Sequence, residues 1–225
     1  MADFDLLQPN LAQSDLLRSR LQAVEVADSA QAMIDAVEAL AALKDDGAID
    51  ALIRVLGYNN PGAAVAAVDG LIQLGTPAAS ALLQQIDGYN YGARAWALRV
   101  LAGIGDPRGL DLILETAAED FSLSVRRAAA RGLGAIQWEM LEPDQRKAAQ
   151  IKARDTLLRV VHDPEWVVRY GAVVGLQGVA TAAIADGLTD LADPVVAALR
   201  DRITQDDTPA VQARANWALL QLLDP

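Results

Sequence analysis

Apolar residues recur every three or four positions along most of this chain. The segment 29–44 is an example, and its apolar stripe is formed by Ile34, Val37, Leu40 and Leu43. This spacing predicts amphipathic helices that bury one face. Clusters of Asn, Asp, Gly and Pro, such as residues 58–62, separate the periodic segments and predict turns. No segment alternates convincingly with a period of two, so we predict an all-α protein with essentially no sheet.

The helical pattern also repeats along the chain. When Leu71, Leu101, Leu133, Leu176 and Leu219 are aligned, the residues seven positions earlier come into register: Ala64, Arg94, Arg126, Arg169 and Gln212. The intervals are 30, 32, 43 and 43 residues, and the two longer ones require a longer helix in the hairpin. Helical hairpins of this length bury their apolar faces by stacking on their neighbours. We therefore predict an α-solenoid, an α-α superhelix of HEAT- or armadillo-like helical hairpins.

The predicted solenoid covers residues 1–225 as a single domain, with helical hairpins from about residue 29 onwards. Residues 1–28 are the least repetitive part, and their helical pattern is interrupted by Pro9. Two interpretations of this segment stay open. It is either a cap on the end of the solenoid core or an arm that docks on a partner subunit. At the other end, we expect Trp217 to cover the C-terminal core.

Composition excludes several classes of function. The net charge of −11 argues against binding of nucleic acid, since an acidic surface repels phosphates. The chain has no Cys and one His, His162, so we expect no disulfide, no thiolate chemistry and no metal site. The repeated His-Glu pairs of di-iron HEAT hydroxylases are absent. Without an apolar run of about 20 residues or a basic N-terminal segment, we expect a cytoplasmic protein with no membrane span.

Paired carboxylates lie at predicted helix ends, where Asp normally caps a helix or forms a turn. The pairs are Asp45/Asp46, Glu119/Asp120 and Asp206/Asp207. General acid–base catalysis would require an enclosed pocket, whereas a solenoid offers a groove. We therefore assign no catalytic residue.

Arginines recur at equivalent positions of successive repeats, at Arg94, Arg126 (followed by Arg127) and Arg169. In one interpretation each arginine binds the turn of the adjacent repeat, with Asp106, Asp120 or Asp163 as acceptors. In the other, the arginines form a basic stripe on a concave face and hold carboxylates of a ligand or partner.

Aromatic residues make up only 4% of the chain and cluster at the predicted turns. Tyr and Trp at such places supply stacking surface and a polar group. We expect Trp96 and Trp166 to be buried in the core, although a partner contact stays open for Trp166. The candidate partner-binding residues are Tyr58, Trp138, Trp166 and Tyr170.

Four stretches, 57–61, 87–97, 102–108 and 120–129, resemble the E/F-type phycobilin lyases of cyanobacteria, most closely their F (β) subunits. The aromatic-Asn turns at Tyr58-Asn59 and Tyr89-Asn90 make this resemblance more specific than a general HEAT match. It implies a heterodimer with a homologous E subunit, which attaches phycocyanobilin to a Cys of the α subunit of phycocyanin. The bilin is then a transferred substrate that the lyase holds in a reactive conformation, and no resident cofactor is expected.

The resemblance also suggests how the bilin would be held. Its two propionates would bind guanidinium groups, for which the candidates are Arg94, Arg126, Arg127 and Arg169. Tyr89 and Tyr91 would then lie beside the tetrapyrrole. An alternative function stays open, since relatives of this family include non-enzymatic HEAT-repeat proteins that act in phycobilisome degradation or associate with an iron–sulfur scaffold.

Overall fold

The computed structural model describes residues 7–85 and 91–223, and within them every regular element is a helix. The all-α prediction is therefore confirmed for these residues. The α-helices are α1 Leu7–Val26, α2 Ala30–Ala41, α3 Ile49–Val55, α4 Pro61–Leu74, α5 Thr76–Gln85, α6 Tyr91–Ile104, α7 Leu110–Glu119, α8 Leu123–Leu133, α9 Pro143–Val160, α10 Trp166–Ala185, α11 Asp193–Gln205 and α12 Pro209–Leu223.

The chain divides into two compact units, Met1–Val100 and Leu101–Pro225, and the boundary falls within α6. In the first unit α1 packs on α2, α2 on α4, and α3 on both α4 and α5. Large aliphatic side chains fill its core, namely Leu40, Leu52, Leu56, Leu71 and Leu82. Leu17 of α1 lies over Gly47, and Gln13 donates a hydrogen bond to Asp45. These contacts place α1 against the turn between α2 and α3, and whether it is a cap or an arm for a partner stays a prediction.

The second unit is built from three helical hairpins, α7–α8, α9–α10 and α11–α12. The first helices of the hairpins pack along one layer, and the second helices, α8, α10 and α12, pack along the other. Glycine allows α8 and α10 to approach closely, since a Cβ on Gly134 would lie only 2.7 Å from Gly175 Cα. This two-layer stack of hairpins is the α-solenoid that the repeat spacing predicts.

Aspartates organise the turns between these helices. Asp106, Asp120, Asp163 and Asp206 each accept a hydrogen bond from the backbone N–H two residues later. Each side chain thus forms an Asx-turn that starts the next helical segment. Asp45 does the same for Gly47, so the turn-forming role predicted for the acidic pairs is observed at Asp45, Asp120 and Asp206.

Helix α10 lies between α8 and α12 and is long and apolar enough, by length and composition alone, to cross a membrane. Within the described part of the chain it is the one such helix, so the expectation that no apolar run approaches this length is wrong. Just over half of its most apolar stretch is buried inside the fold. Its apolarity is accounted for by its contacts with helices on both sides.

Trp217 does not cover the C-terminal core as predicted, because 51% of it is exposed. The buried face of α12 is formed by Val211, Ala215, Ala218 and Leu222. These residues are spaced by three and four positions, as the α-helix requires for one face. Trp217 falls beside this stripe, so its ring points out of the core.

Candidate functional site

Two arrays of arginines occupy the second unit, and they differ in how their guanidinium groups are paired. The first array, the arginine ladder, consists of the pairs Arg126–Asp163 and Arg169–Asp206. Arg126 donates from Nε to Asp163 Oδ2 at 2.8 Å and from Nη2 to Asp163 Oδ1 at 3.1 Å. Its Nη1 donates to the carbonyl oxygen of Asp120 at 2.8 Å. Arg126 therefore joins the turn before its own helix to the turn of the next repeat.

Arg169 repeats this arrangement one hairpin later. It donates to both carboxylate oxygens of Asp206, at 2.8 and 2.9 Å, and from Nη1 to the carbonyl oxygen of Asp163. Gln212, the next residue in the repeat register, donates to the carbonyl oxygen of Asp206. The register derived from the aligned leucines thus corresponds to a repeating hydrogen-bond pattern.

The Arg169–Asp206 pair of the ladder is buried, and the pKa values of both groups are shifted from their ordinary values. Burial of Asp206 acts to raise the pKa of its carboxyl, but the hydrogen bond and charge of Arg169 and the N–H of Thr208 outweigh this effect. The net result is a pKa below the usual range of an aspartate. The same hydrogen bond, donated to Asp206, raises the pKa of Arg169 above its ordinary value. Both groups therefore stay charged at neutral pH.

This geometry corresponds to the first of the two interpretations, in which each arginine binds the turn of the adjacent repeat. Asp163 was among the predicted acceptors, and Asp206 extends the series. Asp106, another predicted acceptor, receives hydrogen bonds from Arg108 of its own turn. That contact lowers the pKa of the Asp106 carboxyl. For Arg126 and Arg169 a ligand-holding role stays a prediction, and their guanidinium donors already bind protein oxygens.

The second array lines a groove along α8, α10 and α12. The groove consists of two hollows that share Arg131 and Val174. The first hollow has a volume of about 320 Å³ and places Arg127 and Arg131 beside Trp166 and Tyr170. Trp166 is 46% exposed, so its expected burial in the core is wrong. As the first residue of α10, it lies at the helix end, where its ring faces the hollow.

The second hollow is larger, about 580 Å³, and lies between α8, α10 and α12. Its walls are mostly apolar and include Ile136, Val174, Ala182, Trp138 and Trp217. The charged residues that line it are Arg131 and Arg214, and no carboxylate belongs to either hollow among the residues that the structure describes. In a chain of net charge −11 this groove is a local cationic surface.

Arg214 is the most constrained member of this array. Its Nη2 donates to Gln177 Oε1 at 2.7 Å, and its guanidinium lies 4.6 Å from the centre of the Trp217 ring. Its Nη1 is buried without a hydrogen-bond partner among the described residues, and the same holds for Trp138 Nε1. The pKa of Arg214 is lowered, chiefly by burial; the interaction with Tyr170 opposes this effect, and the charge of Arg131 adds to it.

The groove gathers some of the predicted site residues but not others. Arg127, Trp166, Tyr170 and Trp138 line it, although Trp138 is only 5% exposed. Tyr58 is exposed in the first unit, and Arg94 is half-buried in α6. Tyr89 and the side chain of Tyr91 lie outside the described residues.

Sequence reasoning missed Arg131 and Arg214. Arg131 follows Arg127 by four residues on α8, so helical spacing alone could have placed both on one face. Arg214 precedes Trp217 by three residues on α12, which is a similar signal. Neither residue falls at the aligned repeat position, which is why the repeat analysis did not select them.

The stacked hairpins and aspartate turns define a HEAT-repeat protein, here with a cationic, aromatic groove. In agreement, residues 79–177 match the family model for HEAT repeats, and residues 34–58 match that for the PBS lyase HEAT-like repeat. The chain is 51% identical over 199 residues to the phycocyanin alpha phycocyanobilin lyase CpcF of Synechocystis sp., covering 88% of this chain and 91% of that protein. The chain thus belongs to the family of phycocyanobilin lyase β subunits, as predicted from its motifs.

Two further comparisons agree with this assignment. A phycobilisome maturation protein of Synechococcus elongatus is 54% identical over 199 residues, covering 88% of this chain and 94% of that protein. A chain in the solved complex of CpcE and CpcF of phycocyanin lyase from Nostoc sp. is 48% identical with a TM-score of 0.68. That match covers 77% of this chain and 99% of the Nostoc chain. The lyase interpretation is therefore favoured over the interaction-protein alternative.

Proposed function

We propose that this protein is the F-type (β) subunit of a heterodimeric lyase that binds phycocyanobilin and positions it for attachment to a Cys of the phycocyanin α subunit. The observation that carries the proposal is the 51% sequence identity to CpcF of Synechocystis sp. over 88% of this chain. The groove supports it, since aromatic rings and guanidinium groups suit a flat tetrapyrrole with two propionates. Arg127, Trp166 and Tyr170 of the first hollow are candidate bilin contacts.

The attachment is an addition reaction. The acceptor thiol adds across a carbon–carbon double bond of the bilin, so that sulfur bonds to one carbon and the thiol proton is taken up by the conjugated system. Nothing leaves, and no oxidant or reductant is consumed. This chain has no Cys, so the acceptor thiol belongs to another protein. Its contribution would be to hold the bilin in a fixed conformation near that thiol, which lowers the entropic cost of the reaction.

An E-type subunit is the proposed partner, which the solved complex of CpcE and CpcF supports. The phycobiliprotein α subunit is the proposed acceptor, in keeping with the name of the CpcF relative. The cyanobacterial sources of these relatives support a cyanobacterial cytoplasm as the place of the reaction.

The test is reconstitution from purified components. This chain, an E-type subunit, phycocyanobilin and apo-phycocyanin α are mixed, and covalent bilin on α is measured by absorbance after denaturation. Adduct is expected in the complete mixture and not with an α subunit whose acceptor Cys is changed to Ser. Equal rates of adduct formation with and without this chain would refute the proposal.

A further inference from the structure

We propose that Arg131 and Arg214 form a carboxylate clamp in the second hollow, which binds the carboxylate of a flat, mostly apolar ligand. This inference rests on the proposed function, under which the ligand group is a propionate of phycocyanobilin. Neither arginine is one of the aligned repeat arginines.

The first argument is the state of the hydrogen-bond donors. Arg214 and Trp138 both line the second hollow, and each has one nitrogen, Arg214 Nη1 and Trp138 Nε1, that is buried without a hydrogen-bond partner among the described residues. Buried donors in proteins are nearly always satisfied, because an unpaired one has lost its water without gaining a replacement. A carboxylate has two acceptor oxygens and could accept from both donors or from a donor of each arginine.

The second argument is charge. Arg131 and Arg214 line one hollow, and the positive charge of Arg131 is one contribution to the lowered pKa of Arg214, after that of burial. The ladder provides an internal comparison, since Arg126 and Arg169 each have an aspartate within 2.8 Å. The two groove arginines have no carboxylate among the lining residues. A pair of guanidinium groups in an apolar hollow therefore favours an anionic ligand over a neutral one.

The third argument concerns the rest of the ligand. The hollow's volume of about 580 Å³ lies within the range of small-molecule sites. Its walls are predominantly apolar, and the exposed Trp217 ring lies at its edge against Arg214. Such a surface suits a conjugated ring system, with the carboxylate directed at the guanidinium groups. A single side-chain carboxylate of a partner protein would leave most of this apolar wall uncovered.

The experiment compares phycocyanobilin with its dimethyl ester, which keeps the ring system and removes both negative charges. Binding of each probe to the complex with an E-type subunit is titrated by absorbance. Wild type is expected to prefer the free acid at least about tenfold, as charge-assisted hydrogen bonds suggest. Arg131→Gln and Arg214→Gln should each reduce that preference several-fold, mainly by weakening the free acid. Arg214→Lys keeps the positive charge but not the planar guanidinium group with its several donors. It should give a preference for the free acid between that of wild type and that of Arg214→Gln.

The matched control is Arg200→Gln, an identical change at an exposed position of α11 that does not line the groove. It should leave the preference for the free acid unchanged. Circular dichroism and gel filtration confirm that each variant folds and pairs; if Arg214→Gln fails to fold, the exposed Arg131→Gln decides the matter.

The outcomes separate the clamp from the lyase function. If wild type binds both probes equally, or if both Gln variants keep the full preference, the clamp is refuted while the lyase function stands. Loss of E-subunit association in these variants, with an unchanged ester preference, would instead assign the arginines to the protein interface. If wild type binds neither probe and forms no adduct, the proposed function itself fails.

Discussion

Arg169 and Asp206 lie 37 residues apart and form an ion pair with two parallel hydrogen bonds, Nε to Oδ2 at 2.8 Å and Nη2 to Oδ1 at 2.9 Å. Arg126 and Asp163 form the same pair at the same separation. Each arginine also binds a carbonyl oxygen of the turn before its own helix. The ladder therefore fixes the offset between successive hairpins, which simple apolar packing would leave less defined.

Loss of Arg169 should destabilise the second unit strongly. Arg169→Ala leaves Asp206 as a buried carboxylate without its main partner, which typically costs about 3 kcal/mol in the free energy of unfolding. Urea denaturation followed by circular dichroism measures the change. Arg200→Ala, an exposed arginine on the neighbouring helix α11, should cost no more than about 0.5 kcal/mol. Equal values for the two variants would contradict a structural role for the ladder.

The Asp206 pair should also make stability depend on pH on the acidic side. Because the folded-state pKa of Asp206 is lower than its ordinary value of 3.8, the pair stabilises the fold fully above that value. The contribution is lost as the pH falls below 3.8 and through the folded-state pKa. The difference in free energy of unfolding between wild type and Asp206→Asn should be constant from pH 7 to 5 and shrink below pH 4. A difference that grows on acidification would contradict a lowered folded-state pKa of Asp206.

The contact between α8 and α10 should tolerate no side chain at its glycines. A Cβ at Gly178 would overlap the carbonyl oxygen of Gly134, and backbone atoms cannot move aside easily. Gly178→Ala should therefore cost about 3 kcal/mol, the upper end for overpacking. Gly187→Ala serves as the comparison, because nothing lies within 4 Å of its Cβ. It should cost only the strain of a positive φ, about 1 kcal/mol. Thermal unfolding ranks the two, and the reverse order would refute the close packing.

Trp217 should contribute stacking surface to the bilin. Trp217→Ala is expected to weaken phycocyanobilin binding by the complex about tenfold, which corresponds to the loss of one aromatic contact. Leu220→Ala removes another exposed apolar side chain three residues further along α12, outside the groove. Absorbance titration should show no change for this control. If the two variants weaken binding equally, α12 acts through a less specific apolar effect.

Sequence alone determined the helical class, the register of the repeats and the family. Helical periodicity and Asx-turns are local, so the apolar spacing and the turn aspartates reveal them without knowledge of the fold. The repeat register even placed Arg126, Arg169 and Gln212 correctly as equivalent residues, because repeated units place equivalent side chains in equivalent surroundings.

Only the tertiary structure decided which arginines are paired within the protein and which face a hollow. Arg126 and Arg127 are neighbours in the sequence, yet one lies in the ladder and the other in the groove. Consecutive residues on a helix point in different directions, and the surroundings of each depend on which helix packs beside it. The Arg131–Arg214 hollow joins helices some 80 residues apart, so no local pattern could define it.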